Sequence, residues 1–276
     1  MPELPEVETI RRGLLKAMKG QCVSKIIVRR TDLRRPVPKN FIGIVSGKRI
    51  LNVNRRAKYL LVYLEANIVV IIHLGMSGRM VTERGTEPNI PSRKHEHIVF
   101  ILEDDTNVRF SDPRRFGLIE ISDSKNLSSH ELLRNIGIEP LSKEFNALML
   151  AKQFKKRKRT IKSVLLDQSI VAGLGNIYAC EGLFMAKISP MRSAHSLTFK
   201  EIEIFVTKIK QLLLDAISSG GSTLKDHVSA TGNMGYFQYK FLVYGREDKP
   251  CMICGGAITR INQAGRSTFF CNNCQK

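Results

Sequence analysis

Between residues 3 and 19, Leu4, Val7, Ile10 and Leu14 recur at three- and four-residue intervals, which places them on one face of an α-helix. Pro5 suits the first turn of that helix, Glu6 and Glu8 favour the positive end of its dipole, and Gly20 ends it. From Val23 to about Ser122 the period shortens to that of strands, in VSKIIVRR, KYLLVYL, NIVVIIHL, EHIVFIL, NVRF and GLIEIS. The polar EDDTN run at 103–107 lies between two of these and predicts a hairpin turn. A β-sandwich or barrel-like domain with one helix attached is expected. Past residue 130 helical lengths return, over 145–159, 161–168, 174–187 and 198–218, and an SSGG stretch follows at 218–221. Residues 222–237 carry no period and read as a mobile loop. The result is an α+β chain in four parts: 1–130, helix and sandwich; 131–222, helical; 223–245, loop and strand; 246–276, a cysteine-bearing module.

Composition adds a partner. Hydrophobic residues make up 43% of the 276, ample for a core, while Lys and Arg number 44 against 25 Asp and Glu. A formal net charge of +19 calls for a polyanion. Nucleic acid is the expected one, with a generally basic but non-binding protein, or one that meets anionic lipid, as the alternatives. The acidic N-terminus does not match a signal peptide, and the most apolar stretch, IVVIIHL at 68–74, is too short to cross a bilayer. A cytoplasmic protein with reduced thiols and no membrane association is expected.

The six cysteines therefore need a reading other than disulfides. Cys251-x2-Cys254 and Cys271-x2-Cys274 stand sixteen residues apart. Each pair sets two thiolates on one tight knuckle, and two knuckles complete a tetrahedral zinc site with no open position, hence one structural zinc. The alternating AITRINQAGRSTFF segment between them predicts a hairpin, and Arg266, beside Gly265 at its tip, offers a guanidinium to a phosphate. Cys22 and Cys180 fall outside this pattern and read as small buried hydrophobes.

Other motifs have two readings each. The KKRKR run at 155–159 is a solvated helix end or a localisation signal, or else its Arg157 and the nearby Lys162 contact phosphates. AGLGNIY at 172–178 lacks the third glycine of a dinucleotide loop, yet its glycines open a helix, where Asn176 clamps a phosphate or caps the helix. Met76, between small residues in HLGMSG, is a core residue or a wedge into a base stack. Arg114 and Phe116, in DPRRFG, are a salt-bridged turn and a core ring, or they fill the gap left by a flipped base.

In order along the chain, MPELPEVE, RRAKYL, HLGMSG, DPRRFG, AGLGNIYACE and the terminal module with AGRSTFFC closely resemble the bacterial formamidopyrimidine-DNA glycosylases. The resemblance implies a β-sandwich preceded by a helix, then a helix-two-turn-helix domain with a four-cysteine zinc finger. It implies a monomeric, nucleoid-associated enzyme that excises 8-oxoguanine and formamidopyrimidines from double-stranded DNA and nicks the abasic site. Carried across, Pro2 is the nucleophile once Met1 is removed, Glu3 a general acid at the sugar, and Glu6 a supporting carboxylate. Lys58 assists β-elimination and Arg266 δ-elimination. His95, Arg114, Arg157 and Asn176 match DNA-contacting positions, Met76, Arg114 and Phe116 match the residues that probe and fill the duplex, and residues 222–237 match a lesion-capping loop. Ser77 stands where some relatives carry Glu, and Cys180 where a small polar or acidic residue is more usual.

The chemistry of residue 2 supports the same assignment. An α-amine titrates at roughly 7.7–8.0 against roughly 10.4 for lysine, so more of it is neutral and nucleophilic near pH 7. A secondary amine gives a permanently cationic iminium, a strong electron sink. The alternatives are an endonuclease VIII-like enzyme for oxidised pyrimidines and a non-enzymatic zinc-ribbon DNA-binding protein.

Overall fold

The computed structural model describes residues 2–85, 93–222 and 237–276. Of the loop expected over 222–237, residues 223–236 therefore lie outside the described residues. Contacts divide the chain into two units, residues 1–134 with 219–238, and residues 135–218 with 239–276.

The first unit opens with helix α1 (Leu4–Met18), where Glu3 is the N-cap and Pro5 lies in the first turn, where its missing N–H costs nothing. Strand β1 (Val23–Val28) follows, then a short helix α2 (Phe41–Val45), then β2 (Ile50–Arg56), β3 (Tyr59–Leu64), β4 (Ile68–His73), β5 (Arg79–Arg84), β6 (Glu96–Leu102), β7 (Thr106–Ser111) and β8 (Leu118–Asp123). The strands form two antiparallel four-stranded sheets, ordered β1-β6-β7-β5 and β2-β3-β4-β8. Val7, Ile10 and Leu14 of α1 share one buried core with Val53, Leu60, Val70 and Ile72 of one sheet and Ile98, Phe100, Val108 and Phe110 of the other. Strand β4 is buried on both faces, which accounts for its unbroken apolar run.

Two strands and a helix were not apparent from the pattern. β2 (ILNVNRR) and β5 (RMVTER) are rich in polar residues because each is a sheet edge, where half-solvated, charged strands are the rule. α2 has five residues, too few to display a period.

The second unit holds α3 (Ala147–Phe154), α4 (Ile161–Leu165), α5 (Asn176–Met185) and α6 (Phe199–Ser218), then the hairpin β9 (Thr259–Gln263) and β10 (Arg266–Phe270). Each helix is shorter than expected. α3 starts where the Asn146 side chain accepts from Met149 N–H, and it stops before the KKRKR run, whose like charges oppose one another on a helix surface. α5 is buried on nearly all sides, and a Cβ on its Gly182 would come within 2.7 Å of Ile209 of α6. The hairpin turns through Ala264 (φ 49°) and Gly265 (φ 73°), a two-residue loop with both φ positive, as the twist of antiparallel strands requires. Cys180 is buried in the same apolar cluster as Cys251 and Cys271, whereas Cys22 is only half-buried. Among the described residues no helix is long and apolar enough to cross a membrane.

Candidate functional site

Pro2, Glu3 and Glu6 are all buried at the start of α1. Glu6 Oε2 accepts from Glu3 N–H (2.9 Å), the reach-back of a capping box. Its other oxygen accepts from Ser222 N–H (2.9 Å) and Ser222 Oγ (2.8 Å). Three donors on one carboxylate give Glu6 the bonding of a fixed strut. Gly220 and Gly221 make this possible with φ values of 79° and 78°, and a Cβ on Gly221 would lie 3.3–3.4 Å from Glu6. Phe237 N–H donates to Gly221 O (3.2 Å), so both described flanks of the 223–236 segment meet beside Glu6.

Glu8 has a role that the helix pattern did not reveal. It accepts from Arg11 and Arg12 on its own helix and from Arg55 Nε (3.2 Å) on β2, whose Nη1 also donates to Ala57 O (2.9 Å). Burial would raise its carboxyl, but the Arg11 and Arg12 hydrogen bonds and the charge of Arg55 hold it below the usual range. Glu8 thereby ties α1 to the turn that carries Lys58, which is itself buried. Nearby, His73 is drawn down to about 4, first by burial, then by the charges of Lys58 and Arg34. Its neutral Nδ1 accepts from Gly75 N–H (3.0 Å).

The residues expected to probe a duplex lie on neighbouring turns of this unit. Met76 and Phe116 are exposed by 39% and 43% despite their apolar side chains, and the Arg114 guanidinium lies over the Phe116 ring, 4.8 Å from its centroid. His95 is exposed with φ 63°. Gly75 (φ 64°) lets the Met76 turn sit on the Arg114–Phe116 turn, for a Cβ there would fall 2.4–2.7 Å from the backbone of Phe116 and Gly117. Ser77, placed by resemblance where some relatives carry a Glu, is buried and directs its hydroxyl to Asp112 Oδ1 (2.6 Å).

In the second unit, Arg266 is exposed at the hairpin tip, as expected. Arg157 donates to Gln153 O at the end of α3, satisfying a terminal carbonyl. Lys162 corrects an expectation. It is 1% exposed, and its Nζ donates to Ser267 O (3.1 Å) and Thr268 Oγ1 (2.6 Å). A side chain enclosed in this way holds the β10 strand and has no path to a phosphate. Asn176 Nδ2 donates to the same Ser267 O (2.8 Å). Glu181, one turn further along α5, was not singled out from the sequence. Its carboxylate accepts from the N–H groups of Leu242, Val243 and Tyr244 at 2.7–2.9 Å, while burial pushes its carboxyl up. α4 and α5 thus hold the segment leading into the cysteine module and its hairpin from two sides.

The four cysteines converge. Their Sγ atoms all lie within 4.8 Å of one another, with Cys251–Cys274 at 3.9 Å and Cys254–Cys271 at 3.5 Å. A tetrahedral zinc with Zn–S of about 2.3 Å spaces its sulfurs about 3.8 Å apart, so the set fits. Ile253 N–H points at Cys251 Sγ (3.5 Å), in the manner of a knuckle. As bare thiols they would compete for protons: the Gly256 amide draws Cys254 down to about 7, while burial pushes Cys274 up to about 12. A dication resolves that competition in favour of four thiolates. The module holds one structural zinc.

Three family models match in order: the formamidopyrimidine-DNA glycosylase N-terminal domain over residues 1–119, the H2TH domain of the same enzymes over 136–228, and a zinc finger found in FPG and IleRS over 248–276. A curated formamidopyrimidine-DNA glycosylase from Ruegeria sp. is 46% identical, with all of both chains covered. A Lactococcus lactis FPG variant solved with Fapy-dG containing DNA matches all of both chains at 34% identity and a TM-score of 0.91. The Lactococcus lactis Fpg solved with abasic-site DNA matches equally, at 34% and 0.91 over both full chains. The chain belongs to the formamidopyrimidine-DNA glycosylase family, the zinc-finger DNA glycosylases of DNA repair.

Proposed function

We propose that this enzyme is a bifunctional glycosylase and abasic-site lyase that removes oxidised purines, 8-oxoguanine and formamidopyrimidines, from duplex DNA through a Schiff base on Pro2. The observation that carries the reading is the buried N-terminus: Pro2 directly precedes the N-cap carboxylate Glu3, while Glu6 is engaged by Glu3 N–H and Ser222. Once Met1 is removed, residue 2 carries an α-amine, and an α-amine titrates at roughly 7.7–8.0, low enough for its nitrogen lone pair to be available near neutral pH. That lone pair attacks C1′ and the glycosidic bond breaks with its electrons leaving on the base, which takes up a proton as the Pro2 nitrogen sheds its own. Glu3 delivers a proton to the sugar ring oxygen as the ring opens, leaving an iminium between Pro2 and C1′. The iminium acidifies C2′–H, and Lys58 assists the proton transfer that expels the 3′ phosphate. A second elimination, assigned to Arg266, expels the 5′ phosphate, and water then releases Pro2.

Borohydride reduction of the iminium to an amine tests this directly. Wild-type protein freed of Met1 is expected to become covalently attached to duplex DNA containing 8-oxoguanine, and Pro2→Gly is not. Failure of wild type to trap, or equal trapping by the variant, refutes the mechanism. A panel of 8-oxoguanine, formamidopyrimidine and thymine glycol duplexes tests the substrate class, and preference for thymine glycol would favour the endonuclease VIII-like reading.

A further inference from the structure

Beneath the exposed probes lies a single carboxylate that the reaction itself does not use. Asp112 is 0% exposed and joins three separate segments. Its Oδ1 accepts from Ser77 Oγ (2.6 Å), next to Met76, and from Arg114 N–H (3.3 Å). Its Oδ2 accepts from Gly117 N–H (2.7 Å), next to Phe116. Its backbone N–H donates to His95 O (2.9 Å), and its carbonyl pairs with His97 Nε2 (2.8 Å). Every bond to the carboxylate comes from a donor, which suits an ionised acceptor and not an amide.

The surrounding packing leaves the carboxylate little freedom. A Cβ on Gly117 would lie 2.7 Å from the Phe110 ring, 3.0 Å from His73 O and 3.2 Å from Asp112 Oδ2. The Met76 turn is held on one side by His73 Nδ1 and on the other by Ser77. Its tip is exposed, whereas Ser77 is buried and His73 half-buried.

We propose that Asp112 is a positioning residue for base extrusion, locking His95, Met76 and the Arg114–Phe116 pair into one rigid wedge so that they enter the duplex together. The proposal rests on the glycosylase reading above. A base stack resists opening by a few kcal/mol, and a wedge whose parts move independently spends binding energy on ordering itself instead of on unstacking. The demand is greatest where a stacked base must leave the helix and least at a site that has already lost its base.

The test compares two substrates with Asp112→Asn and, as the milder change, Ser77→Ala. Asn turns its NH2 either to Gly117 N–H, or to Arg114 N–H and the Ser77 hydroxyl, which can accept it; in each case one backbone N–H loses its acceptor without a change of shape. Excision of 8-oxoguanine from duplex DNA is expected to fall about 10- to 100-fold, mainly in kcat. Cleavage of a preformed abasic site, and borohydride trapping on it, should stay within about 3-fold. A 2-aminopurine beside the lesion should lose its fluorescence rise on binding. Ser77→Ala should show the same pattern in smaller degree and serves as the arbiter if the Asn variant does not fold. Equal loss on both substrates, or a lowered melting temperature with an unchanged ratio of the two activities, overturns the proposal. Wild-type protein inactive on both substrates would instead overturn the glycosylase reading on which it depends.

Discussion

Lys162 offers the sharpest separation between holding the fold and holding DNA. Lys162→Met keeps the length and apolar stem of the side chain but removes donations to Ser267 O and Thr268 Oγ1. Hydrogen bonds from a charged group contribute about 1.5–3 kcal/mol each. Part of that loss is offset. Ser267 O keeps its bond from Asn176, Thr268 Oγ1 keeps its bond to Gln263 Oε1 (2.8 Å), and removing a buried charge recovers its desolvation cost. The net destabilisation is about 2–4 kcal/mol, which for a unit of this size lowers the melting temperature by roughly 10 °C. Calorimetry of the zinc-loaded protein measures that, and fluorescence anisotropy on a duplex over a salt series measures DNA contact. The melting temperature should fall while the slope of log Kd against log salt stays as in wild type. A phosphate contact behaves in the opposite way, lowering the slope by about 1 and leaving stability alone. An unchanged melting temperature with a reduced slope would refute the brace.

Three further outcomes follow from the same geometry. Removing zinc with a chelator, or Cys254→Ser, should abolish duplex binding while the thermal transition of the strand-rich unit persists; binding that survives chelation would remove the finger from DNA recognition. Gly75→Ala combines a left-handed φ, costing an alanine about 1–2 kcal/mol, with a Cβ 2.4–2.7 Å from neighbouring backbone, so stability and 8-oxoguanine excision should both drop; wild-type values for both would mean that the two turns are not in contact. Arg192, with Thr198, holds Glu201 down to about 2, against 4.5 in the unfolded chain, so its stabilisation is complete above pH 4.5 and lost as pH falls toward 2. The melting-temperature gap between wild type and Glu201→Gln should therefore close across that window, staying small throughout because the pair is partly exposed, and a gap independent of pH would contradict the assignment.

The start of α1 illustrates how tertiary contacts assign different tasks to similar residues. Glu3, Glu6 and Glu8 look alike on the page, all near the positive end of one helix. In the fold, Glu6 accepts from Ser222, 216 positions away, and Glu8 from Arg55, 47 positions away. Neither partner lies within a helical turn, so no local pattern could assign them.

Periodicity, composition and short spacings were sufficient for α1, for the apolar central strands, for the basic partner-binding character and for the four-cysteine zinc site. Each of these depends on residues near one another in the chain or on sums over it. The edge strands β2 and β5 escaped because solvation permits polar residues there, and the helix ends escaped because capping and charge repulsion, not period, terminate them. Asp112, Glu181 and Lys162 became intelligible only through their partners. A buried polar group must find its hydrogen bonds wherever the fold supplies them, and it supplied them from Ser77, from Leu242 to Tyr244, and from Ser267 and Thr268. The sequence by itself determined the first helix, the apolar strands, the basic charge and the four-cysteine set. The tertiary structure decided which charged residues are supports, because burial without a partner costs more than any local preference can return.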